Sequence, residues 1–262
     1  MLDGIDTGYE GKFDFRTAPP NPTRTYLLAS VPRAGSTHFS HLLWKTGCLG
    51  APLEYLNFDP AGPYGFAASS TELQLQLWRS VLRRRSSPNG VFGLKAFVMQ
   101  FDQLNRANPP LLQDVLAAVL PRDAPRNIVY LRRRDRVAQV VSYARATLSG
   151  IWRKEQERGQ HPSLEYSQEA LDACERGILF QEHAWEKMFN DLRIDPLPMW
   201  HEDVLADPQA AAGAVARYLG VTLDEAAAVA IPEIHKQSEH DTSEWRARLT
   251  AARGSASGDE EP

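Results

Sequence analysis

The chain has 262 residues, of which 43% are hydrophobic and 24% charged, and its formal net charge is −4. This composition is typical of a globular protein with one large domain, and the slightly acidic charge excludes a general attraction to nucleic acid or to an anionic membrane. Any site for an anionic ligand must therefore be local. The two cysteines, Cys48 and Cys174, are too few for a disulfide scaffold and form no metal-ligand cluster with the histidines, so we expect reduced thiols and no bound metal.

The two ends of the chain differ in composition from the middle. Residues 1–23 combine acidic side chains with a proline-rich stretch and lack the apolar run of a signal peptide, whereas the last residues are small, polar and acidic. We predict a largely irregular extension over residues 1–23, a single domain over residues 24–250 and a disordered tail over residues 251–262. No uncharged apolar run approaches the roughly 18 to 20 residues that cross a bilayer, so no membrane span is expected and the cytoplasm is the expected location.

Short apolar runs alternate with helical patterns along the chain. The runs predict strands at residues 26–31, 91–97, 127–131 and 197–200. Helical patterns follow three of them, at residues 36–45, at residues 135–151 and from the Asp207-Pro208 start to Gly220. This alternation predicts an α/β fold with a mainly parallel sheet and helices on both faces. In such folds ligands bind at the carboxyl ends of the strands.

Two further patterns concern packing. Leu75, Trp78 and Leu82 recur at helical spacing, and we expect the polar stretch at residues 83–89 that follows them to be an exposed loop. Trp185 also lies in a helical pattern, and we assign it to the core.

A turn of small and polar residues leads directly from the first predicted strand into a helix. Its residues are Pro32, Arg33, Ala34, Gly35, Ser36 and Thr37. Gly35 allows the backbone to approach an oxygen closely, Arg33 supplies charge, and the free N–H groups of the helix start bind anions. An ordinary tight connection with a serine cap is the alternative interpretation.

The turn lacks the features of a nucleotide-triphosphate loop. That motif requires a lysine immediately before the hydroxyl residue, and no lysine precedes Ser36. No predicted strand ends in the aspartate that would complete a magnesium site. A phosphate or sulfate donor that binds without metal therefore fits better than ATP.

A second basic motif follows the third predicted strand. The chain reads Arg132, Arg133, Arg134, Asp135 and Arg136 before an amphipathic helix that carries Ser142. An arginine at a strand end and a hydroxyl two turns into the next helix can bind a second phosphate monoester, and we choose Arg134 and Ser142 for this role. The alternative is a solvated basic run.

These motifs resemble those of the bacterial Stf0 sulfotransferases. The similar stretches are residues 32–37 with 46–47 and 52–55, residues 91–95, residues 133–139 with Ser142 and 150–153, and residues 237–238 with Trp245. The resemblance implies a P-loop-like sulfotransferase fold and a homodimer. It also implies transfer of the sulfuryl group from 3′-phosphoadenosine 5′-phosphosulfate (PAPS) to a hydroxyl, which we expect to belong to a carbohydrate or glycolipid.

The resemblance also assigns roles to individual residues. It makes Glu54 the general base, with the alternative that Glu54 is an ordinary surface residue. Residues 33–37 would hold the 5′-phosphosulfate, and Arg33 and Lys95 would act at the reacting centre, although Lys95 can also be read as a lysine at a strand end. Two further candidates for nucleotide binding remain. Trp152 can stack on adenine or the sugar, with a core position as the alternative. Lys236, Gln237 and Ser238 are expected to form a late loop over the 3′-phosphate.

Some residues depart from the family pattern. The turn has Ala34 where the family usually has serine, and His38 where an aliphatic residue is common. A P-loop small-molecule kinase and a non-catalytic nucleotide-binding protein remain as alternatives. The acceptor is open, with trehalose, another glycan and a lipid-linked or secondary-metabolite hydroxyl among the candidates, because its contacts come from variable loops such as residues 59–70 and 155–165.

Overall fold

The structure is a computed structural model that describes residues 6–17, 19, 21–157, 163–233 and 242–256. Its centre is a four-stranded sheet in which every neighbouring pair is parallel, in the order β2-β1-β3-β4. The strands are β1 (Arg24–Ser30), β2 (Val91–Phe97), β3 (Asn127–Arg132) and β4 (Leu197–Trp200). The four predicted strands and their parallel arrangement are therefore confirmed.

Helices connect and cover the strands. They are α1 (Ser36–Lys45), α2 (Thr71–Arg84), α3 (Val98–Ala107), α4 (Pro109–Val119), α5 (Arg136–Ser149), α6 (Gln168–Leu192), α7 (His201–Ala206), α8 (Pro208–Leu219) and α9 (Thr242–Ala256). The helices predicted after β1 and β3 are α1 and α5. The one predicted after β4 is α8, which begins after Asp207 and ends at Gly220. The short helix α7 was not predicted, because with Val204 as its one buried residue it has no apolar periodicity.

Both faces of the sheet are covered, as the alternation of side chains along β1 demonstrates. Tyr26 and Leu28 belong to a buried cluster with residues of α1, α7 and α8. Leu27 and Ala29 point to the opposite face and belong to a cluster with residues of α2 to α6 and α9. Since successive residues of a strand face opposite sides, the sheet lies between two helical layers. The predicted fold class is confirmed.

Residues 7–15, called here the N-terminal segment, pack against this core. Their backbone is irregular apart from a single 3-10 turn at Gly11–Phe13. However, Tyr9 is buried in the main core cluster, and the backbone N–H of Phe15 donates to the carbonyl of Arg84 at 2.9 Å. The packed structure therefore includes residues before the domain start that the sequence predicted at residue 24.

The prediction of an exposed loop at residues 83–89 was wrong in part, because Arg83 and Arg84 belong to α2 and residues 85–87 are buried, whereas residues 88–89 are exposed. Arg85, Ser86 and Ser87 have at most 2% of their surface exposed. The charge of Arg85 is compensated inside the protein, because its Nε lies 3.0 Å from the carboxylate of Asp14 and its Nη1 donates to the carbonyl of Gly8 at 2.8 Å. A basic residue is buried here because the N-terminal segment supplies its acceptors.

The last described element is α9. Trp245 and Leu249 anchor it in the core, and Arg253 donates to the carboxylate of Glu175 at 2.6 Å. The helix includes residues 251–256, which the sequence assigned to a disordered tail, so the helical contacts extend further than the composition suggested. Within the described ranges, no helix has the length and apolar character needed to span a membrane. Cys48 and Cys174 are free and buried.

Candidate active site

The parallel sheet brings the predicted motifs to one edge. The turn at residues 31–35 follows β1, the basic motif follows β3, and Lys95 lies near the end of β2. Glu54 joins them because the preceding Leu53 forms a bridge with Leu94, and Lys95 donates its backbone N–H to the carbonyl of Leu53 at 3.2 Å. The carboxyl ends of three strands thus carry the candidate residues, as is usual for ligand sites in parallel sheets.

The turn before α1 has a backbone shape that suits close contact with an anion. Arg33 and Gly35 both have positive φ, at 61° and 82°, and α1 begins at the next residue, Ser36. Gly35 is the N-cap and offers no side chain to the first N–H groups of the helix. The ring of His201 packs against Gly35, since a Cβ there would lie 2.1 Å from its Nδ1. Glycine is therefore required by backbone conformation and by space.

The side chain of Arg33 joins this turn to the helix after β3. Its Nε donates to Oγ of Ser142 at 2.8 Å and its Nη1 donates to the carbonyl of Trp152 at 3.1 Å. Arg133 lies against it and donates to the carbonyl of Arg33 at 3.3 Å. Burial and the charge of Arg133 lower the pKa of Arg33 from 12.5 to about 10. The two half-buried positive charges would both be stabilised by an anion at this position.

Arg134 faces a different group. Its Nη1 and Nη2 donate to the two carboxylate oxygens of Asp203 at 2.6 and 2.8 Å, and its guanidinium lies 4.8 Å from the ring centre of Trp200. Ser142 therefore contacts Arg33, whereas Arg134 pairs with an acidic side chain. The predicted role of Arg134 and Ser142 at a 3′-phosphate stays a prediction, and a phosphate would have to replace Asp203 at Arg134.

Glu54 and Lys95 form an ion pair next to the turn, in which Lys95 is buried and Glu54 is half-buried. Lys95 Nζ lies 2.7 Å from Oε1 of Glu54 and donates to Oγ1 of Thr37 at 3.1 Å. The side-chain amide of Asn57 donates to Oε2 of Glu54 at 3.1 Å. A continuous chain of polar contacts thus runs from the carboxylate to the first turn of α1.

The ion pair keeps Glu54 in its charged form. Burial alone would raise the pKa of Glu54, but the charge and hydrogen bond of Lys95 and the amide of Asn57 outweigh it and hold the pKa below its ordinary value of 4.5. Burial lowers the pKa of Lys95 from 10.5, and the charge of Glu54 opposes that change. At neutral pH a carboxylate with a lowered pKa is available to accept a proton.

Other candidate bases suit the role less well. His41 is buried and its Nδ1 lies 3.2 Å from the carbonyl of Pro232, so this ring nitrogen is already engaged by the backbone, and burial lowers the pKa of the ring to about 3. The carboxylate of Glu202 accepts the backbone N–H groups of Arg134 and Asp135, which occupies it structurally. His38 is exposed. Glu54 combines burial, charge and contact with the turn.

The other residues singled out in the sequence differ in burial, and some of them lie outside the described residues. Trp152 is 45% exposed and its ring lies 6.1 Å from that of Tyr143, so it is not a core residue and part of its side chain is accessible to a ligand. Trp185 is fully buried and donates from Nε1 to the carbonyl of Ser30 at 2.8 Å, which confirms its assignment to the core. Lys236, Gln237 and Ser238 lie outside the described residues.

Sequence reasoning missed several residues of this region. His201 packs against Gly35, Arg133 lies against Arg33, and the hydroxyl of Tyr9 contacts Glu54. His201 directly follows the last strand, but no spacing in the sequence marks its contact with Gly35. Nothing in the sequence marked Tyr9 as a site residue, because an isolated tyrosine in an irregular segment belongs to no motif or periodic pattern.

Comparison with known proteins gives the class of the protein. Residues 25–252 match the family model described as Stf0 sulphotransferase, and the chain therefore belongs to the Stf0 sulphotransferase family. This confirms the family resemblance that the motifs indicated.

Individual relatives and one solved structure are also similar. The chain is 27% identical over 257 residues to trehalose 2-sulfotransferase from Mycobacterium tuberculosis (strain Erdman), covering 87% of this chain and 95% of that protein. It is 23% identical over 256 residues to trehalose 2-sulfotransferase from Mycolicibacterium smegmatis, covering 86% and 93%. A sulfotransferase domain from the Synechococcus PCC 7002 olefin synthase aligns with a TM-score of 0.39 and 14% identity, over 88% of this chain and 95% of that chain.

Proposed function

We propose that the protein transfers the sulfuryl group of PAPS to a hydroxyl of a carbohydrate or glycolipid, with Glu54 as the general base. The observation that supports this most directly is the contact chain from Glu54 through Lys95 to Thr37. It connects an ionised carboxylate to the helix start where an anionic donor would bind. A base for the acceptor and a site for the donor are then neighbours, as a direct transfer requires.

The donor site would consist of charge and backbone donors. The residues proposed to hold the 5′-phosphosulfate are Arg33, Ala34, Gly35, Ser36 and Thr37. Positive charge from Arg33 and Lys95 would offset the negative charge that develops on the phosphate oxygen as the sulfur leaves it. Trp152 would stack on the adenosine, and Arg134 and Ser142 would hold the 3′-phosphate together with Lys236, Gln237 and Ser238.

Glu54 would accept one proton in the reaction. The acceptor oxygen forms a bond to sulfur, the bond between sulfur and the phosphate oxygen breaks, and adenosine 3′,5′-bisphosphate leaves with the electron pair. The acceptor hydroxyl becomes strongly acidic as its bond to sulfur forms, so a carboxylate with a lowered pKa is a sufficient base at that stage. Lys95 would keep Glu54 ionised and aimed at the donor site.

Trehalose is the first acceptor to test, because the two curated relatives are named as trehalose 2-sulfotransferases. At 27% and 23% identity the acceptor of this chain can differ, so a wider set of sugars and glycolipids belongs in the same assay. The resemblance to the family also leads us to propose a homodimer.

The test uses purified protein, PAPS with a radiolabelled sulfuryl group and a chelator, because the proposed site supplies its positive charge from side chains. Trehalose and extracts of carbohydrates and glycolipids are offered in parallel, and the labelled product is identified. We expect a labelled sulfate ester with the wild type and a large loss with Glu54→Gln. No labelled product from any acceptor, or phosphate transfer from labelled ATP instead, would contradict the proposal.

A further inference from the structure

We propose that Tyr9, in the N-terminal segment, is a positioning residue for Glu54. The backbone N–H of Glu54 donates to the phenolic oxygen of Tyr9 at 3.1 Å, across 45 positions of the chain. This inference rests on the proposed role of Glu54 as the base. It assigns a function to a part of the chain that precedes the family match, which begins at residue 25.

Two arginines from the domain fix the N-terminal segment in place. The buried Arg85 donates to the carbonyls of Gly8 at 2.8 Å and Glu10 at 3.0 Å. Arg153 donates to the carbonyl of Thr7 at 3.1 Å. Because charged donors bind these carbonyls from inside the protein, the backbone on both sides of Tyr9 has a defined position.

The segment also holds its own conformation. The carboxylate of Glu10 accepts hydrogen bonds from the backbone N–H and hydroxyl of Thr7, at 2.9 and 2.7 Å, and from the backbone N–H of Gly8 at 2.8 Å. Gly8 has a φ of 90°, and a Cβ at this position would lie 3.1 Å from the ring of Trp44. This tight turn directs the side chain of Tyr9 towards the core.

Aromatic packing then fixes the ring of Tyr9. It meets Tyr64 edge-on at 5.5 Å and Tyr55 edge-on at 6.4 Å between ring centres. The guanidinium of Arg153 lies 5.8 Å from the centre of the same ring. With its ring held on several sides, Tyr9 offers its hydroxyl to Glu54 in a single direction.

The backbone of Glu54 is thereby held at two successive groups. The carbonyl of Leu53 accepts the backbone N–H of Lys95 at 3.2 Å, and the N–H of Glu54 is bound by Tyr9. These two contacts fix the backbone position of Glu54, and therefore the direction from which its carboxylate approaches Lys95. Burial raises the pKa of Tyr9, with a further increase from the charge of Glu54, so the phenol stays neutral at the pH of the reaction.

The test compares Tyr9→Phe with Tyr64→Phe. Tyr64 lies in the same aromatic cluster, so its variant also removes one phenolic oxygen from the cluster and leaves the ring in place. We expect Tyr9→Phe to slow sulfuryl transfer about tenfold or more, because small displacements of a catalytic group are costly in rate. Affinity for adenosine 3′,5′-bisphosphate and the thermal midpoint should remain near the wild-type values, and Tyr64→Phe should transfer at the wild-type rate.

A double-mutant cycle separates positioning from a general structural role. If Tyr9 acts through Glu54, Tyr9→Phe adds no further loss in the Glu54→Gln background. Wild-type turnover in Tyr9→Phe, an additive loss, or a joint loss of nucleotide affinity and thermal stability would each contradict the inference. A wild-type rate of sulfuryl transfer in Glu54→Gln would overturn the proposed function as well. A large loss of rate in Glu54→Gln together with a wild-type rate in Tyr9→Phe would overturn only the inference on Tyr9.

Discussion

The guanidinium of Arg33 donates to the hydroxyl of Ser142 at 2.8 Å, although the two residues are 109 positions apart in the chain. Arg33 belongs to the turn after β1, and Ser142 lies on the helix after β3. The sequence assigned them to opposite ends of a nucleotide, one at the 5′-phosphosulfate and the other at the 3′-phosphate. Their contact joins the two proposed anion sites into one surface, so a change at one site is expected to affect the other.

Arg134 should distinguish nucleotides by their 3′-phosphate. Arg134→Ala is expected to lower the affinity for adenosine 3′,5′-bisphosphate by about ten- to a hundredfold, because a charge-assisted contact to phosphate is lost. The affinity for adenosine 5′-phosphosulfate should remain nearly unchanged. Asp203→Asn should have the opposite effect, since the carboxylate that now holds Arg134 no longer competes with the phosphate. Calorimetry with both nucleotides measures this, and equal weakening of both by Arg134→Ala would place Arg134 outside the 3′ site.

Gly35→Ala should reduce nucleotide affinity through a clash with His201. The new Cβ would lie 2.1 Å from Nδ1 of His201, so the ring or the turn must move. Gly150→Ala is the matched control, since Gly150 also has a positive φ, of 70°, but a Cβ there meets nothing within 4 Å. We expect about a tenfold or greater loss of affinity for adenosine 3′,5′-bisphosphate in Gly35→Ala only, with the positive-φ strain of about 1–2 kcal/mol common to both variants. Recovery of affinity in Gly35→Ala combined with His201→Ala supports the clash, and equal losses in Gly35→Ala and Gly150→Ala would contradict it.

The ion pair with Lys95 should set the acid limb of the pH profile. The pKa of Glu54 is held below 4.5, so its ionised form, and with it the activity, is present above that pH and is lost as the pH falls through the lowered pKa. Lys95→Met removes the opposing charge and leaves burial, which raises the pKa, so the limb should move to higher pH. Lys187→Met is the control, because Lys187 forms an exposed pair with Asp191. An acid limb of kcat/KM at the same pH in Lys95→Met and the wild type would show that Lys95 does not control Glu54.

The sequence predicted those features that depend on local patterns. The strand at residues 91–97 and the helix at residues 36–45 have the predicted bounds, because apolar periodicity and the Gly35 turn define them within a few residues. The cap at Asp207 followed by Pro208 likewise defined the start of α8. The parallel sheet then necessarily gathered the motifs at the carboxyl ends of the strands.

Features that depend on distant partners were beyond the sequence. Arg85 seemed to belong to an exposed basic run, and it is buried because the N-terminal segment brings carbonyls and Asp14 to it. Arg134 pairs with Asp203, and Glu54 pairs with Tyr9. Both pairings depend on side-chain directions in the folded chain. No spacing in the sequence encodes such contacts, because each joins segments that are 45 or more positions apart.

The most direct test of the account is the single-turnover rate of sulfuryl transfer by Glu54→Gln, measured beside its affinity for adenosine 3′,5′-bisphosphate. Glutamine keeps the volume and one acceptor oxygen of Glu54 but takes no proton at neutral pH, so the rate should fall by about 10²- to 10⁴-fold. Nucleotide affinity should stay within a few-fold of the wild type, because Glu54 would serve the acceptor in the proposed site and its contact with the first turn of α1 runs through Lys95. A wild-type rate in Glu54→Gln, or a joint loss of nucleotide affinity and thermal stability, would contradict its role as the general base.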